Sequence, residues 1–297
     1  MSGDALAGIL LVASRAIWYA GIVGVIGACA FRLVVSPAVA SGSPADVPAS
    51  AGLIAAALLV AGTLARLYAQ AYVSFGLDEP LTSELVWIVA TDLPPWSAGW
   101  LAQFAVSVAT VGAFAWRRAA RLPPPAVSAI AVAIAASAPL TGHAVAQPGA
   151  SALPVVLQAA HVLGAGTWIG GLFVLSLVLA RRSAAAMPVK AVVDGFSPVA
   201  LTAASVLAAS GGLTALLYVP ALDALWTTSY GRALLVKVAL SAGVAAMGLV
   251  NWRIIRPRLA DAGIAARLRR TARIELSLAA AVLLMTALLV GLPQPGE

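Results

Sequence analysis

The sequence predicts an all-α integral membrane protein with eight transmembrane helices. Two numbers carry that prediction: 62% of the 297 residues are hydrophobic and only 10% are charged. A soluble domain holds roughly a quarter charged residues. The third observation is where the apolar residues fall. They gather into stretches that reach the roughly 20 residues a helix needs to cross a bilayer.

Eight such stretches are read, at approximately 6–34, 52–75, 97–116, 125–141, 153–180, 196–219, 232–252 and 273–292. The first follows MSGDALAG, which lacks the basic leader of a cleavable signal, so it is expected to be retained as a span. Breaks between stretches carry turn-forming residues, such as Ser36-Pro37, Ser41-Gly42-Ser43-Pro44 and Pro123-Pro124-Pro125. The fourth stretch is the shortest. Pro154 suits the first turn of the fifth, where its missing N–H is harmless. Segment 81–96, LTSELVWIVATDLPPW, is too short and too charged to span, with Glu84 and Asp92 inside it. It is expected to lie on the outer surface, with Trp87 and Trp96 at headgroup level.

The chain thus forms a single polytopic domain over 1–297, with candidate halves 1–142 and 150–297. Ala98 to Arg117 and Arg232 to Arg253 echo each other, both ending in Trp-Arg. A 4+4 parallel internal repeat would leave such an echo. Shared composition would produce the same likeness.

Net charge is +7, but the cations sit at segment ends rather than along one face. This is an orientation signal and not a nucleic-acid surface. With the N-terminus outside, 14 of the 18 Lys and Arg fall at inner boundaries. The outer loops then keep Asp78, Glu79, Glu84, Asp92 and Asp223. The positive-inside rule places both termini outside, in the periplasm of a bacterial inner membrane.

Chemistry concentrates between Pro139 and Leu172, which holds both histidines, His143 and His161. The first follows the end of the fourth span, and the second lies about two turns into the fifth. Both fall at the outer edge, where neutral imidazoles can bind copper, zinc or haem iron. Met285, in the outer part of the eighth span, is a candidate thioether ligand for Cu(I), although a core methionine is the commoner case. Trp168 lies seven residues after His161, which returns it to the same helical face. Gly164, Gly166, Gly170 and Gly171 leave a smooth surface for a second helix or a cofactor, so Trp168, Gly164 and Gly171 are candidate cofactor contacts. The charged candidates within the membrane are Arg15, Arg66 and Lys237, and the first two are expected to pair with the outer acids. Cations along a path oppose a metal ion and suit carboxylates, such as haem propionates. The single cysteine, Cys29, excludes an internal disulfide. No Walker motif, nucleophile elbow, HExxH motif or dinucleotide fingerprint occurs, so neither an ATP-driven pump nor a hydrolase is expected, and no enzyme activity is assigned.

Three motifs carry a resemblance: Thr-Gly-His at 141–143, HVLGAGTWIGG from His161 to Gly171, and TSYGRALLVK from Thr228 to Lys237. Together they resemble the copper resistance protein D (CopD) family. The resemblance implies an inner-membrane protein that handles copper, as Cu(I) or Cu(II), at the periplasmic face. It also implies a small periplasmic copper-binding partner, CopC, and His143 and His161 as the metal positions. The chain lacks the methionine-rich outer loop that copper delivery would use. Three functions follow. The first is a copper permease or copper-handling protein. The second is a haem b electron-transfer protein, and the third is a cofactor-free assembly scaffold.

Overall fold

The structure is a computed structural model, and it describes residues 3–38, 46–77, 80–116, 122–142, 152–180, 189–219, 221–261 and 263–293. Among the described residues, eight helices are long and apolar enough to cross a membrane. They are α1 (Gly3–Val35), α2 (Val47–Ser74), α3 (Trp96–Ala115) and α4 (Pro124–Thr141), followed by α5 (Ala152–Ala180), α6 (Val189–Tyr218), α7 (Ser229–Arg258) and α8 (Ile264–Leu289). No strand occurs among the described residues.

Helix α1 is the central post, packed against α2, α4, α5 and α8. Small residues let it approach so many neighbours, because helices in lipid associate by close packing rather than by expelling water. A Cβ added at Gly21 would sit 2.6 Å from the Leu59 backbone of α2, and one at Gly62 of α2 would sit 2.6 Å from the Trp18 backbone. The α1–α5 crossing is closer still, with Gly27 against Gly170 and the Val23 carbonyl, so any side chain there would overlap backbone. Trp18, Ile22, Ile26 and Phe31 of α1 fill the core with Leu59 of α2, Ile134 of α4 and Leu175 of α5. The first four spans close on themselves, α1 to α2 to α3 to α4 and back.

The second four are looser. Helix α5 packs on α6, and α7 on α8. Only 11% of the apolar window of α6 and 6% of that of α7 is buried, against 44% for α1. These two helices turn most of their apolar surface outward, as lipid-facing helices do.

Arg15 near the start of α1 reaches the Ala287 carbonyl near the end of α8 (3.5 Å), so the described chain begins and finishes at the same end of the bundle, called here the head end. The opposite, basic end carries Arg32, Lys190, Arg253, Arg256, Arg258 and the arginines that open α8. Asp194 pairs there with Lys190 and Arg256, both at 2.6 Å.

Three helix boundaries lie six or more residues from the sequence reading, and α2 begins five residues early, at Val47 rather than 52. Helix α6 begins at Val189 rather than 196, α7 continues to Arg258 rather than 252, and α8 begins at Ile264 rather than 273. Hydropathy sees only the apolar part of a helix, whereas the backbone continues past it. In the first turns of α8, Leu268 and Ala272 are buried while Arg267, Arg269, Arg270 and Arg273 are exposed, an amphipathic face that extends the span. Segment 81–96 does contain a short helix, Ser83–Thr91, capped by the Thr82 hydroxyl, which accepts from Leu85 N–H (3.3 Å). It packs Val89 and Ala90 onto Leu67, Ala71 and Trp100, and leaves Trp87 exposed.

Three wide, π-helical turns interrupt the spans, at Phe31–Val35 in α1, Gly166–Gly170 in α5 and Asn251–Ile255 in α7. Such turns occur mostly at functional positions, because the extra residue redirects side chains within a helix.

Candidate functional site

Helix α5 begins at Ala152, with Pro154 in its first turn, and two turns later His161 faces α6 and α7. Its Nδ1 lies 3.4 Å from the Ser210 hydroxyl of α6. That hydroxyl donates to the Val206 carbonyl (2.7 Å), so its lone pair is left to accept an N–H from Nδ1. An Nδ1–H tautomer leaves the Nε2 lone pair free, which is the arrangement of a metal-binding histidine whose other nitrogen is fixed by the protein. Gly211 lies directly beneath the ring, and a Cβ there would stand 3.0 Å from Cε1. Lys237 of α7 is within electrostatic reach of the imidazole. One turn beyond Ser210, the Thr214 hydroxyl is buried with no hydrogen-bond partner among the described residues. His161 and Ser210 thus form a polar contact between α5 and α6 in the head half of the bundle, with Lys237 of α7 within electrostatic reach.

His143 lies outside the described residues, but the chain leading to it is firmly placed. Helix α4 ends in a 3-10 turn, Ala138–Thr141, closed by Gly142 N–H on the Pro139 carbonyl (3.1 Å) and packed against the first part of α5. The Thr141 hydroxyl accepts from Arg66 (2.6 Å) and from Gln103 (3.1 Å). Arg66 also donates to the Gln103 side-chain oxygen (2.7 Å) and lies 4.1 Å over the Trp18 ring. Of the expected acidic partners, Asp78 and Glu79 lie outside the described residues, and Glu84 and Asp92 form no ion pair with Arg66 among the described residues. Neutral oxygens and an indole face satisfy this guanidinium instead, a combination suited to its planar fork. Arg15 likewise spends its charge on a helix C-terminus, where cations are favoured.

The remaining sequence candidates scatter. Met285 is half-buried on α8, one turn beyond Val282, whereas the groups around His161 come from α6 and α7. Cys29 is buried in the α1 core, toward the basic end. Gly164 and Gly171 pack against α6: a Cβ at Gly164 would lie 2.9 Å from the Ala203 carbonyl, and one at Gly171 2.7 Å from the Phe196 ring. At these two glycines the space is filled by α6 itself rather than left open for a cofactor. Among the described residues, no group of three His, Cys, Asp or Glu can hold a metal ion. His161 therefore needs donors from elsewhere to complete a copper site.

Trp168 sits in the wide turn of α5, 9% exposed, and its ring borders Gly248 of α7 together with the carboxyl of Glu275 of α8. Sequence reasoning passed over Glu275. Its signal was a single carboxylate inside the eighth apolar stretch, masked by the arginines just before it.

Two family descriptions match the chain. Copper resistance protein D-like, N-terminal domain, matches residues 4–153, just over half the sequence. Copper resistance protein D matches residues 190–289. The chain belongs to the copper resistance protein D family. Copper resistance and membrane-spanning helices are thereby joined in one family member, as the sequence motifs implied. The segment with His161 falls between the two matched stretches. The copper transport protein CutJ of Bacillus subtilis (strain 168) is 33% identical over 161 residues, which are 53% of this chain and 28% of that protein. The match therefore spans well under a third of the relative's length. No solved structure matches the chain.

Proposed function

We propose that this CopD-family chain is a copper permease of the bacterial inner membrane, with both termini in the periplasm and His143 and His161 as copper ligands on the periplasmic side. Copper is cargo in this reading. The observation that carries it is the posture of His161, inside the bundle with one nitrogen fixed by α6 and the other free. The family membership and the CutJ likeness support copper as the ion, and the concentration of cations at the basic end supports that end as cytoplasmic. His143 follows Thr141, whose turn packs beside α5. A periplasmic CopC-like protein is the natural donor, since the chain itself contributes only two imidazoles and, on α8, Met285.

Lys237 beside His161 fits transit better than storage. A fixed ammonium weakens the hold on a cation, and conduction requires sites that release what they bind. The test is copper uptake by proteoliposomes, wild type beside a variant carrying His143→Ala and His161→Ala. Uptake is expected in the wild type and loss to the level of empty vesicles in the variant. Equal uptake by both would remove the histidines from the site, and no uptake by either would remove the permease.

A further inference from the structure

The wide turns of α5 and α7 converge on one side chain. Glu275 of α8 is 2% exposed, in the basic-end half of the bundle. Asn251, the first residue of the α7 turn, donates from Nδ2 to Glu275 Oε2 at 2.9 Å. Trp168, in the α5 turn, brings its ring to the same place, both groups bordering Gly248. Gly248, one turn before Asn251, leaves the opening these groups need: a Cβ there would stand 3.3 Å from Oε1 and 3.4 Å from the Trp168 ring. The chain of polar contacts continues toward the basic end, where the Thr271 hydroxyl donates to Asn251 Oδ1 (2.5 Å).

Everything that touches the carboxyl is neutral. The charged and titratable groups on the surrounding helices are engaged elsewhere or turned outward. On α1, Arg15 lies at the Ala287 carbonyl, Arg32 donates to the Leu122 carbonyl, and Cys29 is packed in the α1 core. On α6 and α7, Lys190, Asp194 and Arg256 pair with one another, and Arg253 lies over the exposed Trp252. His161 and Lys237 belong to the head half. The arginines of α8 itself are exposed. Among the described residues Glu275 forms no ion pair. A carboxylate in a membrane interior without a cation is strongly disfavoured, so such groups mark ion and proton pathways.

From this convergence we infer that Glu275 is an intramembrane proton-binding site that exchanges its proton for the passing copper ion. The inference rests on the permease reading. With copper absent, the carboxyl holds a proton and the interior is neutral. When Cu(I) enters from the head end, the O–H bond breaks, the proton leaves to water on that same side, and the carboxylate left behind balances the single positive charge. When the ion departs at the basic end, the carboxylate takes up one proton from water there, so that one proton crosses opposite to each copper ion. No electron moves in either step. Asn251 holds the carboxylate during its charged phase, beside the Trp168 ring. Their placement in wide turns gives both helices the slack to follow the change.

The experiment uses the full chain in proteoliposomes, with Cu(I) in reducing buffer and a pH-sensitive dye. Wild type is expected to move about one proton per copper, as charge balance at a single carboxyl requires. Glu275→Gln, which keeps the shape and cannot titrate, is expected to retain copper-for-copper exchange while net copper uptake loses its accompanying proton movement. That retained exchange also shows that the variant is folded. An unchanged proton-to-copper ratio in Glu275→Gln overturns the inference while the permease stands. Absence of copper movement in the wild type overturns both. If Glu275→Gln does not fold, infrared difference spectroscopy on the wild type decides. A deuterium-sensitive protonated-carboxyl band that fades on Cu(I) addition supports the site, and a band that is absent or indifferent to copper removes it.

Discussion

Arg66 shows how a buried charge can be satisfied without an opposite charge. Its two hydrogen bonds tie α2 to α3 and α4, and its stack on Trp18 ties it to α1. Arg66→Met should leave the Gln103 and Thr141 oxygens short of donors and lower stability by about 1–3 kcal/mol, read as the melting temperature of the protein in detergent. Arg66→Lys should not rescue it, because one ammonium cannot reproduce the fork and the stack. Lys237→Met makes a prediction of opposite sense. Removing the ammonium beside His161 should tighten copper binding about tenfold and slow its release, measured by equilibrium binding and by efflux from loaded vesicles. At this scale the sequence was half legible. Arg66 and His161 stand out as rare polar residues in apolar stretches, but their partners, Gln103, Thr141 and Ser210, are ordinary residues that only packing brings near. Glu275 was hidden for a similar reason, since its meaning depends on Trp168 and Asn251, distant in the chain.

Among elements, glycine position separates structural contacts from spare ones. Gly170→Ala should push its methyl into the Val23 carbonyl of α1 and destabilise the protein by about 1–3 kcal/mol. Gly212→Ala meets nothing within 4 Å and should change stability by less than about 0.5 kcal/mol. Paired thermal melts of the two variants test this directly, and equal losses would mean the α1–α5 crossing is not closed as described. The eight spans themselves were readable from hydropathy, because burial in lipid imposes a composition on every one. Their ends were not, since α8 carries its arginines on a helical face rather than in a loop. The wide turns were equally invisible. HVLGAGTWIGG and NWRII contain no residue that demands one, and each turn is set by the neighbours it packs against.

For the molecule as a whole, the orientation proposed from charge is open to a simple check. Cys29 is buried, so an impermeant thiol reagent should find the native chain silent. Cysteine placed at Asp223, exposed at the head end, should label in intact cells. Cysteine placed at Asp261, exposed at the basic end, should label only after permeabilisation. The reverse pattern would invert the topology and move His161 to the cytoplasmic side. The number of spans and the distribution of charge came from composition. The unequal packing of the two halves did not, because the exposed α7, at a mean hydropathy of 2.1, is as apolar as the buried α1, at 2.0.

That inequality has a mechanical consequence. Where Gly27 meets Gly170, backbone lies on backbone with no side chain between. Such a joint resists sliding along its length but yields readily to rotation, as a knife-edge does under a balance beam. Helices α6 and α7 lie on the far side of that edge, packed mainly on α5 and on α8 respectively and otherwise turned outward. A small tilt there would be magnified at their head-end tips, where Leu216, Leu222 and Trp226 stand furthest out. Leverage, rather than the rearrangement of a core, is the cheap motion available to this fold.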